Sequence, residues 1–179
     1  MPEPDRLLHF SEDPSIARFV PHVPPTNPGQ APAVWAIDRE HAPVYWFPRD
    51  CPRGSVWANT DEEQQRLARL FQTAARRVQA TELAWLGRMQ AARLYVYELD
   101  REGFEPWPDA EGQWIAREPI VPLAVRPLRN LLELHAESGV ELRFVTDLWA
   151  FWRSVLESGL PFSGVRLRNA STVEDKQAP

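Results

Sequence analysis

The chain has 179 residues, a formal net charge of −5, eighteen prolines, eight tryptophans and one cysteine. The charge is modest and the basic residues scattered, which argues against duplex nucleic acid or an acidic membrane face as partner. A single cysteine excludes an internal disulfide and suits a reducing cytoplasm. The opening MPEPDRLLHF lacks the apolar stretch of a signal peptide, and no apolar run approaches a membrane span, so a cytoplasmic protein is expected.

From the N-terminus, LLHFS (Leu7 to Ser11) reads as a short strand. DPSIARF reads as a short helix, with Asp13 as N-cap and Pro14 at its first position. PHVPPTNPGQAP (Pro21 to Pro32) is too proline-rich for a regular element. AVWAI is a compact buried strand, and DREHAPVYWF leads into a short helix that Pro48 ends. Leu67, Leu70, Phe71, Ala74, Val78, Trp85, Leu86 and Met89 recur at three- and four-residue steps, the stripe of one long amphipathic helix. RLYVYELD (Arg93 to Asp100) is apolar on both faces, as a central strand is. EGFEPWPDAEGQW is a loop, and EPIVPLAV a strand interrupted by Pro122. PLRNLLELHAES is a helix with Leu128, Leu131, Leu132 and His135 on its stripe, closing near Gly139. VELRFV is a strand, DLWAFWRSVLESG a helix capped by Asp147 and ended at Gly159, and FSGVRLR a last strand. The order gives one α+β domain over residues 1–170, with a disordered polar tail at 171–179.

Three aromatics precede two arginines, an aspartate and the cysteine in PVYWFPRDCPR (Pro43 to Arg53). This is either a turn pinned by an ion pair or the wall of a binding site. Glu82 falls inside the long helical stripe, where a lone carboxylate is costly to bury. It therefore leaves through a helix break at ATEL or pairs with Arg49 or Arg53. His9, between Leu8 and Phe10, has the surroundings of a satisfied core histidine, and Cys51 those of an inert buried thiol. His9, His22, His41 and His135 lack metal-ligand spacing, so no metal is expected. Glycine-rich phosphate loops and nucleophile elbows are absent.

Over nearly its full length the chain resembles a bacterial family of unassigned function that carries HFSEDP, VWAID and YWFPRDCPR, with a later GVELR. The order of its pieces also resembles ADP-ribosyltransferases of the diphtheria-toxin and poly(ADP-ribose) polymerase type. Those enzymes present a His-Gly-Ser/Thr strand, a Gly-Ile-Tyr-Phe-Ala strand, a Ser-Ala-x-Tyr helix and a strand that begins with the catalytic Glu. Here HFS, AVWAI, HAPVY, RLYVYELD and EPIVP follow in that order. The resemblance implies a split sheet with inserted helices and NAD as substrate. It gives His9 a hydrogen bond to a ribose hydroxyl, and it lets the Phe10 backbone hold the carboxamide with Ser11 nearby. Trp35 takes the place of the first family tyrosine, Tyr45 stacks on nicotinamide, and Glu118 stabilises an oxocarbenium-like transition state. Arg49 would meet the pyrophosphate or an acidic acceptor, with Arg53 open between site and structure. Phe10, Trp35 and Pro119 depart from the family pattern. Two rivals stand beside this: a non-catalytic module binding a small ligand or a partner, and an RNA 2′-phosphotransferase-like enzyme, against which the acidic charge counts.

Overall fold

The computed structural model describes residues 6–24 and 28–172. Of the tail expected at 171–179, residues 173–179 lie outside the described residues. In chain order the elements are strands β1 (Arg6–Ser11) and β2 (Val34–Ile37), a 3-10 turn (Ala42–Tyr45), β3 (Arg53–Trp57), helix α1 (Asp61–Phe71) and β4 (Arg77–Glu82). A second 3-10 turn (Leu83–Trp85) leads into α2 (Leu86–Ala91), β5 (Tyr95–Asp100), β6 (Glu105–Pro106), β7 (Gln113–Ala116) and β8 (Ala124–Pro127). Then come α3 (Leu131–Glu137), β9 (Val140–Val145), α4 (Leu148–Glu157), β10 (Phe162–Val165) and a third 3-10 turn (Leu167–Asn169). This is a mixed α+β chain with two sheets and four α-helices among the described residues. It divides into two compact units, each built from two segments: Met1–Trp46 with Arg93–Leu128, and Phe47–Ala92 with Arg129–Pro179.

The first unit holds a six-stranded sheet in the order β6-β7-β2-β1-β5-β8. β1 runs antiparallel to both neighbours, with Leu8 opposite Ile37 on β2 and His9 opposite Tyr97 on β5. Successive side chains on a strand point to opposite faces, so the sheet has two distinct faces. On one, Leu7 packs with Phe19, Val34, Ala36, Tyr97, Leu99 and Ala116. On the other, Leu8 packs with Ile37, Ala42 and Val96, flanked by Phe10, Tyr45 and Trp46. The segment expected as a helix at DPSIARF is not helical. Asp13 Oδ1 accepts from the Ser15 amide at 2.8 Å and its hydroxyl at 2.6 Å, a local turn that competes with a helix. The buried Tyr97 hydroxyl donates to the Asp13 carbonyl at 2.6 Å and accepts from the Ile16 amide at 3.1 Å. Tertiary bonding thus holds the segment open.

The second unit holds a four-stranded sheet in the order β10-β3-β4-β9, in which β4 and β9 are parallel. One face is apolar: Val56, Val78 and Ala80 pack against Leu67 and Phe71 of α1 and Leu148, Phe151 and Val155 of α4. The single long helix expected from Leu67 to Met89 is therefore two helices with a strand between them. α1 starts on a capping box, where Glu63 N donates to Thr60 Oγ1 at 3.2 Å and Thr60 N to Glu63 Oε2 at 3.1 Å. It stops at Gln72, which takes a left-handed conformation (φ 51°). Beyond it Val78 and Ala80 face the core while Gln79 and Thr81 point away, a period of two that a helical count overlooks.

Gly54 and Gly164 stand opposite each other on β3 and β10, beneath Trp152. A Cβ on Gly164 would fall 2.6 Å from the Trp152 ring and 2.7 Å from Leu167. Gly164→Ala is expected to destabilise by about 1–3 kcal/mol through overpacking. Gly87→Ala in α2, where a Cβ meets nothing within 4 Å, should stabilise by about 0.4–1 kcal/mol. Urea unfolding midpoints that move in opposite directions for the two variants would bear this out.

Candidate functional site

The residues singled out from the sequence divide between the units. His9, Phe10, Ser11, Trp35, Tyr45 and Glu118 belong to the first, and Arg49, Cys51, Arg53 and Glu82 to the second.

In the first unit, His9 Nδ1 donates to the Trp35 carbonyl at 2.9 Å, so β2 holds the ring of the β1 histidine. That bond fixes the tautomer and puts the lone pair of the neutral ring on Nε2. Toward a ribose hydroxyl neutral His9 is then an acceptor, whereas the resemblance assigns it donation. The His9 ring packs 4.6 Å from Phe19. Phe19 in turn exchanges backbone bonds of 2.8 and 2.9 Å with Ile120. Glu118 lies two residues before Ile120, so its segment reaches the side of β1 to which His9 points. The glutamate itself is exposed on a bend, and the strand expected from Glu118 is confined to Ala124–Pro127. Pro119 and Pro122 lack ladder donors, which explains the late start.

Phe10 and Tyr45 occupy the other face, their rings 6.5 Å apart and 9° from parallel. Both are half-buried. Tyr45 rides on the 3-10 turn, and its hydroxyl accepts from Gln113 Nε2 at 3.2 Å. Trp35 shares this face and meets Trp107 edge-on at 5.3 Å. Ser11 ends β1, its hydroxyl accepting from the Asp13 amide at 3.1 Å. The structure thus brings His9 toward the Glu118 segment, and Tyr45 toward Phe10, on opposite faces of one sheet. Gln113 was not legible as a site residue, because a glutamine in a predicted loop carries no signal. The loop EGFEPWPDAEGQW in fact contains β6 and the start of β7.

In the second unit, the sheet face opposite the apolar core carries Arg53, Ser55, Gln79 and Thr81, all buried. Gln79 Nε2 donates to Ser55 Oγ at 3.0 Å, and Thr81 Oγ1 to the Pro52 carbonyl at 2.7 Å. Arg53 Nη1 donates to the Cys51 carbonyl at 3.0 Å, and its guanidinium lies 5.1 Å from the Phe47 ring centroid. Arg53 therefore has a structural place, while Arg49 stands exposed on the turn before Cys51. Glu82 is buried as expected, but it ends a strand, and its carboxylate accepts from the Ser171 amide at 2.9 Å. Among the described residues it forms no ion pair, and its expected pairing with Arg49 or Arg53 is corrected.

Burial pushes the Cys51 thiol up to about 11, outweighing its contact with Thr81 and the charge of Arg53. A thiol so placed is no nucleophile at neutral pH. Among the described residues no group of three or more His, Cys, Asp or Glu could hold a metal ion. Among the described residues no helix is long and apolar enough to cross a membrane.

A model of a family of unknown function, DUF6886, matches residues 8–170, and the chain belongs to that family. Comparison with curated proteins found no match, and neither did comparison with solved structures.

His135, on α3, is buried against Phe47 and donates from Nδ1 to the Leu131 carbonyl. Desolvation, aided by the Arg53 charge, lowers its pKa from 6.5 to about 4. The folded state thus prefers the neutral ring. Its contribution is complete above about pH 6.5 and is lost as pH falls toward 4, where the unfolded chain binds the extra proton. The loss is on the order of 3 kcal/mol. His135→Asn, which keeps a donor near Leu131 but does not titrate, should flatten the stability profile between pH 6.5 and 4. Denaturant midpoints measured across that window would decide the matter.

Proposed function

We propose that the first unit is an ADP-ribosyltransferase-like domain that binds NAD and transfers or hydrolyses its ADP-ribose. One observation carries this: the contacts His9–Phe19 and Phe19–Ile120 join the first-strand histidine to the segment of Glu118 across 109 positions of sequence. These are the two residues that the resemblance assigns to ribose binding and catalysis. Scission would break the bond between ribose C1′ and the nicotinamide nitrogen, with the electron pair leaving on nicotinamide. The carboxylate of Glu118 would stabilise the positive charge that develops on the ribose. Water or a nucleophilic acceptor would then bond to C1′ and release its proton. Tyr45 beside Phe10 offers an aromatic face to a cationic ring.

A second reading, a small-ligand module without catalysis on the same scaffold, is favoured by two features. Glu118 is exposed outside any strand, and His9 and Tyr45 serve opposite faces. Fold alone does not imply activity.

Calorimetry with NAD, run beside an assay of nicotinamide release, separates the two. Tyr45→Ala should weaken NAD binding by about 0.5–1.5 kcal/mol. Glu118→Gln should leave binding intact and lower release by about a hundred- to a thousandfold. Binding without turnover, unchanged in Glu118→Gln, would select the non-catalytic reading, and absence of binding at millimolar NAD would retire both as they concern this nucleotide.

A further inference from the structure

We propose that His41 is a positioning residue for Tyr45, setting the 3-10 turn that carries it; this rests on the reading of Tyr45 as a ring-stacking residue. His41 is 4% exposed, although it lies in a loop. Asp38 Oδ1 accepts from both its backbone amide and its Nδ1, each at 2.8 Å. On the other side of the ring, Nε2 stands 3.7 Å from Glu111 Oε1. Gly112 forms the floor: its φ is +76°, and a Cβ there would fall 2.3 Å from the His41 ring. Only glycine satisfies both conditions. The Asp38 amide also donates to the Gly112 carbonyl at 2.9 Å. Imidazole thereby joins the loop after β2 to the turn between β6 and β7.

Both strands of chain leaving this clamp lead to Tyr45. Forward from His41, the turn Ala42–Tyr45 begins at once, with the Val44 amide donating to the His41 carbonyl at 3.1 Å. Forward from Gly112, the next residue is Gln113, which donates to the Tyr45 hydroxyl at 3.2 Å. The result is a closed frame with His41 at one end and the Tyr45–Gln113 bond at the other. A histidine suits that position because its two ring nitrogens face opposite directions, toward Asp38 and Glu111. An asparagine reproduces the Nδ1 donor and does not reach Glu111. The Asp38 bond is the stronger constraint, since Glu111 is nearly half exposed and its contact long.

The chain has three tyrosines, Tyr45, Tyr95 and Tyr97, so ¹³C labelling at the tyrosine ring carbon gives three signals, with Tyr45 assigned through Tyr45→Phe. Tyr97, fully buried in the same unit and bonded to Asp13, reports the integrity of the fold. In His41→Ala the Tyr45 signal should shift while that of Tyr97 stays. In His41→Asn, it should return part of the way. The dissociation constant for NAD should rise in His41→Ala by about two- to tenfold, the worth of one aromatic stack. A Tyr45 signal that does not move, or one that moves together with Tyr97, would overturn the proposal by making His41 a loop staple or a general support. If wild-type protein fails to bind NAD, the nucleotide reading falls, and the Tyr45 signal still decides the role of His41.

Discussion

Neighbouring side chains on a pleated strand point to opposite faces, and in β1 that alternation sorts every group of interest in the first unit. Leu7 and His9 go to the face shared with Phe19, Tyr97 and Leu99, while Leu8 and Phe10 go to the face shared with Ile37, Val96 and Tyr45. A shift of one residue in the pairing with β5 would exchange the two sets. The register is held by apolar pairs on both faces, Leu7 with Leu99 and Phe10 with Val96. It is held again by the His9–Trp35 bond to β2. A ligand that touches both His9 and Tyr45 would therefore have to reach both faces of this sheet.

The stretch PVYWFPRDCPR gains its meaning from the boundary it contains. Pro43, Val44, Tyr45 and Trp46 end the first segment of the first unit, and Phe47 opens the second unit. Prolines at 48 and 52 bring Arg49 and Asp50 out on a turn and return the chain to the buried strand β3. Cys51 and Arg53 are held there by the carbonyls and hydroxyls of their own surroundings: the Arg53 guanidinium takes the Cys51 carbonyl and the Phe47 face, and Thr81 contacts the thiol at 3.1 Å. Buried charge near His135 and Cys51 acts on both, disfavouring the imidazolium and partly offsetting the desolvation of the thiolate. Cys51 is thus the buried thiol that its surroundings in the sequence suggest.

Much of the fold is legible where one signal acts alone. β1, β2, β5, β9 and α4 follow from alternation, from apolar runs and from Asp147, which caps α4 through the amides of Trp149 and Ala150. Misreading arises where two periods overlap. Leu67, Phe71, Ala74 and Val78 fit a helix, and Val78 and Ala80 fit a strand equally well. The outcome is settled by Gln72 in the left-handed region and by the pairing of β4 with β3 and β9, contacts that no local window contains. β3 is hidden for a related reason: RGSVW has no apolar alternation, since Gly54 is apolar-facing only in the sense that it admits Phe151 and Trp152. At the candidate site, aromatic and charged residues are visible from their types, whereas Asp38, His41, Gly112 and Gln113 act through contacts between segments far apart in sequence. Their spacing along the chain encodes nothing of that.

The position of Glu118 shows how an exposed residue can still be fixed. Its side chain is in solvent, yet the backbone is tied on both sides. Before it, Arg117 Nη1 donates to the carbonyls of Ala31 and Pro32 at 3.1 and 3.0 Å. After it, Ile120 is bonded to Phe19 in both directions, and Pro119 narrows the backbone freedom between. Electrostatic stabilisation of a developing charge depends on a donor or acceptor that need not reorganise when the reaction occurs. An anchored backbone supplies part of that, and a free side-chain rotor withholds the rest. The stacking proposed for Tyr45 on the other face would make a different demand, and there the ring's hydroxyl is bonded by Gln113 and its backbone closes the 3-10 turn that follows His41. The two halves of the proposed site thus differ in kind: an aromatic ring held at its hydroxyl by Gln113, and an exposed carboxylate on a backbone tied at both ends.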